Sequence, residues 1–281
     1  MSNLWYVEKW SDCTNFSVQV SPLHQEQTPY QNLAVYHSDD YGKFFSLDGY
    51  IMITQKDEFI YHDMIVHPAM ATNPQIAKVL VIGGGDGGTV RELLRYPTIK
   101  KIDMVEIDER VVRVCQEHFP EVSCGLVNDK VNLMFADGIK YVKATKELYD
   151  LIIVDSTDPI GPGEGLFTGE FYQDCFNILS DEGILVNQNE SPYYAANSLE
   201  MQRAFKKIKN IFPVALAYQA HIPTYASGHW MFGFGSKKLH PVKDVDMSKW
   251  QEFGLATKYY NEKLHFGAFA LPTYVIDVLN K

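Results

Sequence analysis

Lys78-Val79-Leu80-Val81-Ile82-Gly83-Gly84-Gly85-Asp86-Gly87-Gly88 is an apolar, strand-like run that breaks into glycines just before a helix-like stretch at 89–95. Glycines at a strand exit let the backbone turn tightly and approach a ligand, and the following helix N-terminus offers unpaired N–H groups. A second strand-like run, 101–107, carries Glu106, 23 residues beyond Gly83. An acid at that place can accept hydrogen bonds from both hydroxyls of a ribose. Strand, glycine turn, helix, strand and acid in this order predict a nucleoside site. Asp86 inside the turn argues against pyrophosphate as the neighbour and favours a cationic group.

The same habit continues outward. Strand-like runs at 131–135, 149–154 and 183–187 alternate with helix-like runs at 109–118, 139–146, 170–179 and 198–209. This βαβα cadence predicts a mainly parallel sheet with helices on both faces. Two later runs, 213–218 and 229–234, have no long helix between them and are expected to form an antiparallel edge pair. Upstream, 59–70 reads as a helix that ends near Pro74. The first part of the chain differs: 16–20, 31–36, 43–47 and 50–54 are short, β-branched and aromatic. Asp48-Gly49 is a two-residue hairpin signal. We therefore expect two domains, a small β-hairpin domain at 1–58 and a Rossmann-like catalytic domain at 59–281.

Composition bounds the partners. The chain has 281 residues, 46% hydrophobic and 21% charged, with a formal charge of -10. An acidic chain disfavours nucleic acid and suits a cationic small ligand. Neither a basic-then-apolar leader nor an apolar run of membrane-spanning length is present, so a cytoplasmic protein without membrane attachment is expected. Cys13, Cys115, Cys124 and Cys175 lack CxxC spacing, which predicts idle thiols rather than disulfides or zinc. Of the nine histidines, all but His62 read as surface or packing residues.

A second acidic group follows the run at 149–154, in Asp155-Ser156-Thr157-Asp158-Pro159. Ligands of open α/β sheets lie outside the carboxyl ends of the strands, so Asp155 is directed to the same crevice as the glycine turn. The Gly/Pro-rich stretch after it reads as a loop over that crevice. Asp86, Asp155 and Asp158 suit either a divalent metal or an amine cation; no further ligand set is evident, so no metal is expected. Asp137, in Ala136-Asp137-Gly138, fits two roles equally: acceptor for an adenine amino group, or N-cap of the helix after it.

These segments, with Val105-Glu106-Ile107-Asp108, Ile222-Pro223-Thr224-Tyr225, Thr28-Pro29-Tyr30-Gln31 and Tyr61-His62-Asp63, resemble the polyamine aminopropyltransferases over nearly the whole chain. The resemblance implies a Rossmann-like, methyltransferase-type α/β fold with a small N-terminal antiparallel β domain, assembled as a homodimer or homotetramer. It implies aminopropyl transfer from decarboxylated S-adenosylmethionine, a co-substrate rather than a cofactor, to putrescine, giving spermidine and methylthioadenosine. It assigns Glu106, Asp137, Gly138, Gly83 and Gly85 to the nucleoside, and Gln31, His62 and Asp86 to the aminopropyl arm. Asp155, with Tyr61, is implied as the proton-handling group, and Asp158, Tyr61, Tyr225 and Gln31 as the acceptor site, with residues 157–167 as a gate. Two departures stand out: Asp63 where the family has Glu, and Ala226 where proline is expected, which should loosen the acceptor-side loop. A diamine methyltransferase and a non-catalytic adenosyl-binding regulator are the rival readings; Asp86, which would repel a methionine carboxylate, speaks against the first.

Overall fold

The structure, a computed structural model, describes residues 4–157 and 161–281. It opens with five antiparallel strands in sequential order: β1 (Leu4–Lys9), β2 (Asn15–Gln27), β3 (Asn32–Ser38), β4 (Gly42–Leu47) and β5 (Tyr50–Thr54). Asp48 and Gly49 both take positive φ, 50° and 84°, as a tight hairpin requires. The first strand was not foreseen. Its outward residues Trp5 and Val7 are apolar and exposed, so the sequence around it shows no simple polar-out alternation.

The larger sheet has seven strands, ordered β11-β12-β10-β9-β6-β7-β8. In chain order, α1 (Glu58–Thr72) leads into β6 (Lys78–Gly83), α2 (Gly88–Leu94), β7 (Lys101–Glu106), α3 (Glu109–His118) and α4 (Pro120–Ser123). Then come β8 (Val131–Phe135), α5 (Gly138–Ala144), β9 (Tyr149–Asp155), α6 (Gly169–Asn177), β10 (Leu179–Gln188) and α7 (Ala195–Ile211). The antiparallel pair β11 (Val214–His221) and β12 (His229–Ser236) closes one edge, as expected, and α8 (Met247–Gln251), α9 (Glu262–Phe269) and α10 (Thr273–Leu279) end the chain. The expected helix at 170–179 is shorter, because Leu179 already pairs with Tyr149 of β9. Residues 161–167, read as a loop, form a 3₁₀ run, and residues 158–160 lie outside the described chain.

Both faces of the parallel strands are covered, so neighbouring residues go to opposite cores. Val79, Val81, Leu151 and Ile153 join α1 and α2; Leu80, Ile82, Ile152 and Val154 join α5, α6 and α7. Helix α1 is buried nearly all round and passes through Pro68. Proline has no N–H to give the carbonyl four residues back. That carbonyl, on Met64, instead accepts the Tyr218 hydroxyl at 2.8 Å, which is how the helix runs on past its proline.

The N-terminal sheet docks through Leu33, Val35, Phe45 and Ile53 onto Val111, Val114 and Cys115 of α3 and Phe119 and Val122 beside and within α4. Among the described residues no helix is long and apolar enough to cross a membrane.

Candidate active site

The chain moves right from β6 to β7 and β8, then left to β9 and β10, so β6 and β9 flank the switch point where α/β sheets open a crevice. The register sets Gly83 beside Asp155 there, with Glu106 at the end of β7. A cavity of about 870 Å³ lies over these strand ends. Gly83 and Gly84 have φ of 80° and 71°, and a Cβ on Gly83 would stand 2.2 Å from the Asp155 carbonyl oxygen, so only glycine lets β6 turn away so close to β9.

Asp155 is almost fully buried, and each of its oxygens accepts a hydroxyl: Oδ1 from Tyr61 and Oδ2 from Thr89, both at 2.6 Å. Burial, then the charge of Asp86, raises its pKa above the usual carboxylate range. Burial and then the Asp155 charge hold the Tyr61 phenol well above its ordinary value, so Tyr61 is the protonated, hydrogen-bond-donating partner of Asp155.

Asp86 is the opposite case. Burial pushes its carboxyl up, but the His62 cation and hydrogen bonds, including Gly88 N–H to Oδ1 at 2.7 Å, bring it below the ordinary value. Two adjacent carboxylates are thereby driven apart, a common arrangement where one must hold a charge and the other take a proton.

Glu106 is buried and accepts the Asp108 N–H at 2.9 Å on Oε1; burial raises it to about 7. Asp108 in turn accepts the Thr28 hydroxyl (2.7 Å) and the Gln31 amide (3.0 Å), tying the N-terminal sheet to the end of β7. Asp137 caps α5, accepting Ile139 and Lys140 N–H on Oδ1, and also lines the cavity. Its capping reading therefore holds, and its Oδ2 stands 3.4 Å from the Lys140 ammonium on the exposed side of α5.

Gln31, Tyr61, Gly83, Gly85, Asp86, Glu106, Asp137, Gly138, Asp155 and Tyr225 all line this one cavity. His62 stands behind Asp86 with no exposure, 3.1 Å from it. Asp158 lies outside the described residues. Tyr225 sits against the Tyr61 and Trp230 rings and donates its hydroxyl to the Met52 carbonyl. Ala226 begins a short 3₁₀ turn closed by Gly228 N–H to the Tyr225 carbonyl and by a Ser227–Ser191 hydroxyl contact at 2.9 Å. Asp63, the other departure, faces away: it accepts the Tyr259 and Tyr260 N–H groups and stands 3.3 Å from His67. His67 is thus a buried member of a charge network rather than a surface or simple packing residue.

Several lining residues were not foreseen: Glu8 within the unforeseen first strand and Trp10 just after it, and Gln188, Glu190, Tyr194 and Trp230. Glu190 is nonetheless marked by strain, a buried acid with φ of 65° whose Oε2 accepts the Asn197 amide at 2.7 Å. Glu58, four residues before His62 on α1, was legible as a helical i,i+4 pair.

Glycine turn, buried Glu106 and paired aspartates at one switch point define a Rossmann-like α/β protein with an acidic cavity at its strand ends and an added N-terminal antiparallel sheet. The spermine/spermidine synthase domain model matches residues 58–248 and the spermidine synthase tetramerisation domain model residues 4–55. The chain belongs to the spermine/spermidine synthase family. It is 60% identical to the polyamine aminopropyltransferase of Clostridium acetobutylicum, over 100% of this chain and 99% of that one. It is 58% identical to that of Clostridioides difficile, over 99% of each. Among solved structures it is similar to a spermidine synthase in complex with the transition-state analogue AdoDATO (TM-score 0.96, 37% identity, 100% of this chain and 96% of that one). It is also similar to the spermidine synthase of Thermotoga maritima (TM-score 0.93, 35% identity, 100% and 95%).

Proposed function

We propose that this protein transfers an aminopropyl group from decarboxylated S-adenosylmethionine to putrescine, yielding spermidine and methylthioadenosine. The observation that carries the reading is the buried pair Asp86 and Asp155 in one cavity, one carboxyl held below its ordinary pKa and the other above it. Membership in the family and the relatives' names support it.

In this reading the amine nitrogen attacks the methylene beside the sulfonium, the C–S bond breaks with its electron pair going to sulfur, and neutral methylthioadenosine leaves. The amine sheds one proton, and Asp155 accepts it. A free primary amine has a pKa of about 10.4, so it arrives protonated; the proton that Asp155 accepts is the one lost before attack, and the new secondary amine stays protonated. Glu106 holds the ribose, Asp137 and Gly138 meet the adenine, and Asp86, with Gln31, takes the donor's terminal ammonium. Both protein contacts of Asp86 fall on Oδ1, so Oδ2 is the oxygen offered to that cation. Tyr61, Tyr225 and Asp158 place the acceptor, while Trp10 and Trp230 pack its methylenes and Glu8 and Glu190 meet its far ammonium. Two cations that repel one another are brought to reacting distance by an acidic wall. The protein acts in the cytoplasm as a homodimer or homotetramer, needing no cofactor or metal.

The decisive experiment incubates the protein with decarboxylated S-adenosylmethionine and, separately, putrescine, cadaverine and agmatine, and identifies products by mass. Spermidine with stoichiometric methylthioadenosine is expected. Methylated amine formed from S-adenosylmethionine would overturn the reading, and faster turnover of another amine would move the acceptor.

A further inference from the structure

We propose that Glu58, His62 and Arg91 form an ion ladder whose buried imidazolium decides that Asp155, and not Asp86, is the cavity aspartate that takes up a proton. The three are positioning residues: they act on the reaction only through Asp86.

The ladder is set by helical spacing. Glu58 and His62 lie one turn apart on α1, with Nδ1 2.6 Å from Glu58 Oε2. On the other side of the ring, Nε2 is 3.1 Å from Asp86 Oδ1, an ionic contact whose angle falls outside hydrogen-bond geometry. A neutral imidazole has one bare nitrogen lone pair, and here either lone pair would face a carboxylate oxygen at close range in a ring with no solvent exposure. The doubly protonated ring removes that conflict. Glu58 is itself held ionised by a two-pronged Arg91 contact, NH1 to Oε1 at 3.0 Å and NH2 to Oε2 at 2.9 Å, and Arg91 Nε reaches Glu92 at 3.0 Å. The ring cannot swing away: a Cβ on Gly88 would lie 2.2 to 2.5 Å from three of its atoms, so it is pressed flat on the first turn of α2.

Groups facing this centre are Glu58 and Tyr61 on α1, Asp86 on the glycine turn, Arg91 and Glu92 on α2, Cys115 on α3 and Asp155 on β9. Burial alone would lower His62, but Asp86 and then Glu58 carry it to about 10, while burial opposed by His62 and then Arg91 leaves Glu58 at about 2. Without the imidazolium, Asp86 and Asp155 would be two buried carboxylates left to share a proton between them. With it, Asp86 stays an anion ready for an ammonium, and the capacity to accept a proton falls to Asp155. The inference rests on the transfer reading above for what those two roles serve.

His62→Gln keeps an amide donor toward Asp86 and removes the charge. The acid limb of kcat/KM for the decarboxylated donor, followed from pH 5.5 to 9, is expected to move up by about one pH unit, costing about tenfold below its midpoint and little above it. An equal loss at every pH, with the limb unmoved, would reduce His62 to a structural part and overturn the proposal. Independently of any substrate, nitrogen NMR of the wild-type His62 ring is expected to show imidazolium through pH 8.5, and Glu58→Gln is expected to lower its titration midpoint by about one unit or more. A neutral wild-type ring at pH 8, or a midpoint indifferent to Glu58→Gln, sinks the ladder. If wild-type protein fails to use the donor, the transfer reading falls while the ring titration still decides the electrostatics.

Discussion

Helix α1 carries two histidines five residues apart, each between two carboxylates, and the two clusters differ in what they leave undone. Around His67 every charge is met: Nδ1 contacts the Tyr96 hydroxyl at 2.6 Å, Nε2 faces Asp63 and Glu92 at 3.3 Å each, and Glu92 also takes Arg91 and Arg95. Asp63 spends its other oxygen on the Tyr259 and Tyr260 N–H groups. Burial works against the charged forms there, yet His67 is raised and Asp63 and Glu92 are lowered. Around His62 the same construction opens on a cavity, and beyond Asp86 stand two carboxylates, Asp155 and Glu106, whose pKa values are raised mainly by burial. A closed cluster contributes stability; an open one keeps part of its charge uncompensated until a ligand arrives.

Three substitutions or conditions press on that contrast. Asp155→Asn in the open cluster is expected to cut kcat by about 10²- to 10⁴-fold while changing donor KM little, since it removes the proton acceptor and leaves the nucleoside contacts. Steady-state kinetics check this, and a kcat within threefold of wild type would remove Asp155 from the chemistry. The companion change in the closed cluster, Asp63→Asn, is expected to lower stability by about 3–5 kcal/mol, because it leaves a buried imidazolium short of a partner. Its kcat at 25 °C should stay within about twofold of wild type. For the acids, whose pKa values are lowered by folding, the stabilising contribution is present above their ordinary values of about 4 and is lost as pH falls. For His67, raised by folding, it is complete below about pH 6.5 and fades as pH rises through the folded value. The denaturation difference between variant and wild type should therefore be greatest near pH 6. The smallest effect concerns Glu106. If the ribose is held by the ionised carboxylate, methylthioadenosine affinity, measured by calorimetry, rises with pH through about 7, by at most about tenfold per unit. Glu106→Gln should bind with no pH dependence between 6 and 8, and equal profiles for both proteins would deny Glu106 that role.

Much of this contrast was written locally in the chain. The glycine turn, Glu106 and Asp155 were legible because a strand end has one place in an α/β sheet, and Asp48-Gly49 because a two-residue hairpin tolerates few residues. The ladder and the closed cluster were less so. Glu58 and His62 are an i,i+4 pair, but Arg91 and Glu92 join them only by the packing of α2 on α1, and Asp63 meets Tyr259 and Tyr260 across nearly two hundred residues. Glu8 and Trp10 escaped because they lie in and just after a strand whose alternation is masked by exposed Trp5 and Val7.

The Thr28 and Gln31 contacts to Asp108 have a last consequence. The segment matched by the tetramerisation model thus reaches to within two residues of Glu106, and also supplies Glu8, Gln31 and Met52 to the cavity wall. A fragment beginning at α1 would therefore leave the cavity with one jaw missing, and any strain on the N-terminal sheet has a two-bond path, through Asp108, to the Glu106 carboxylate.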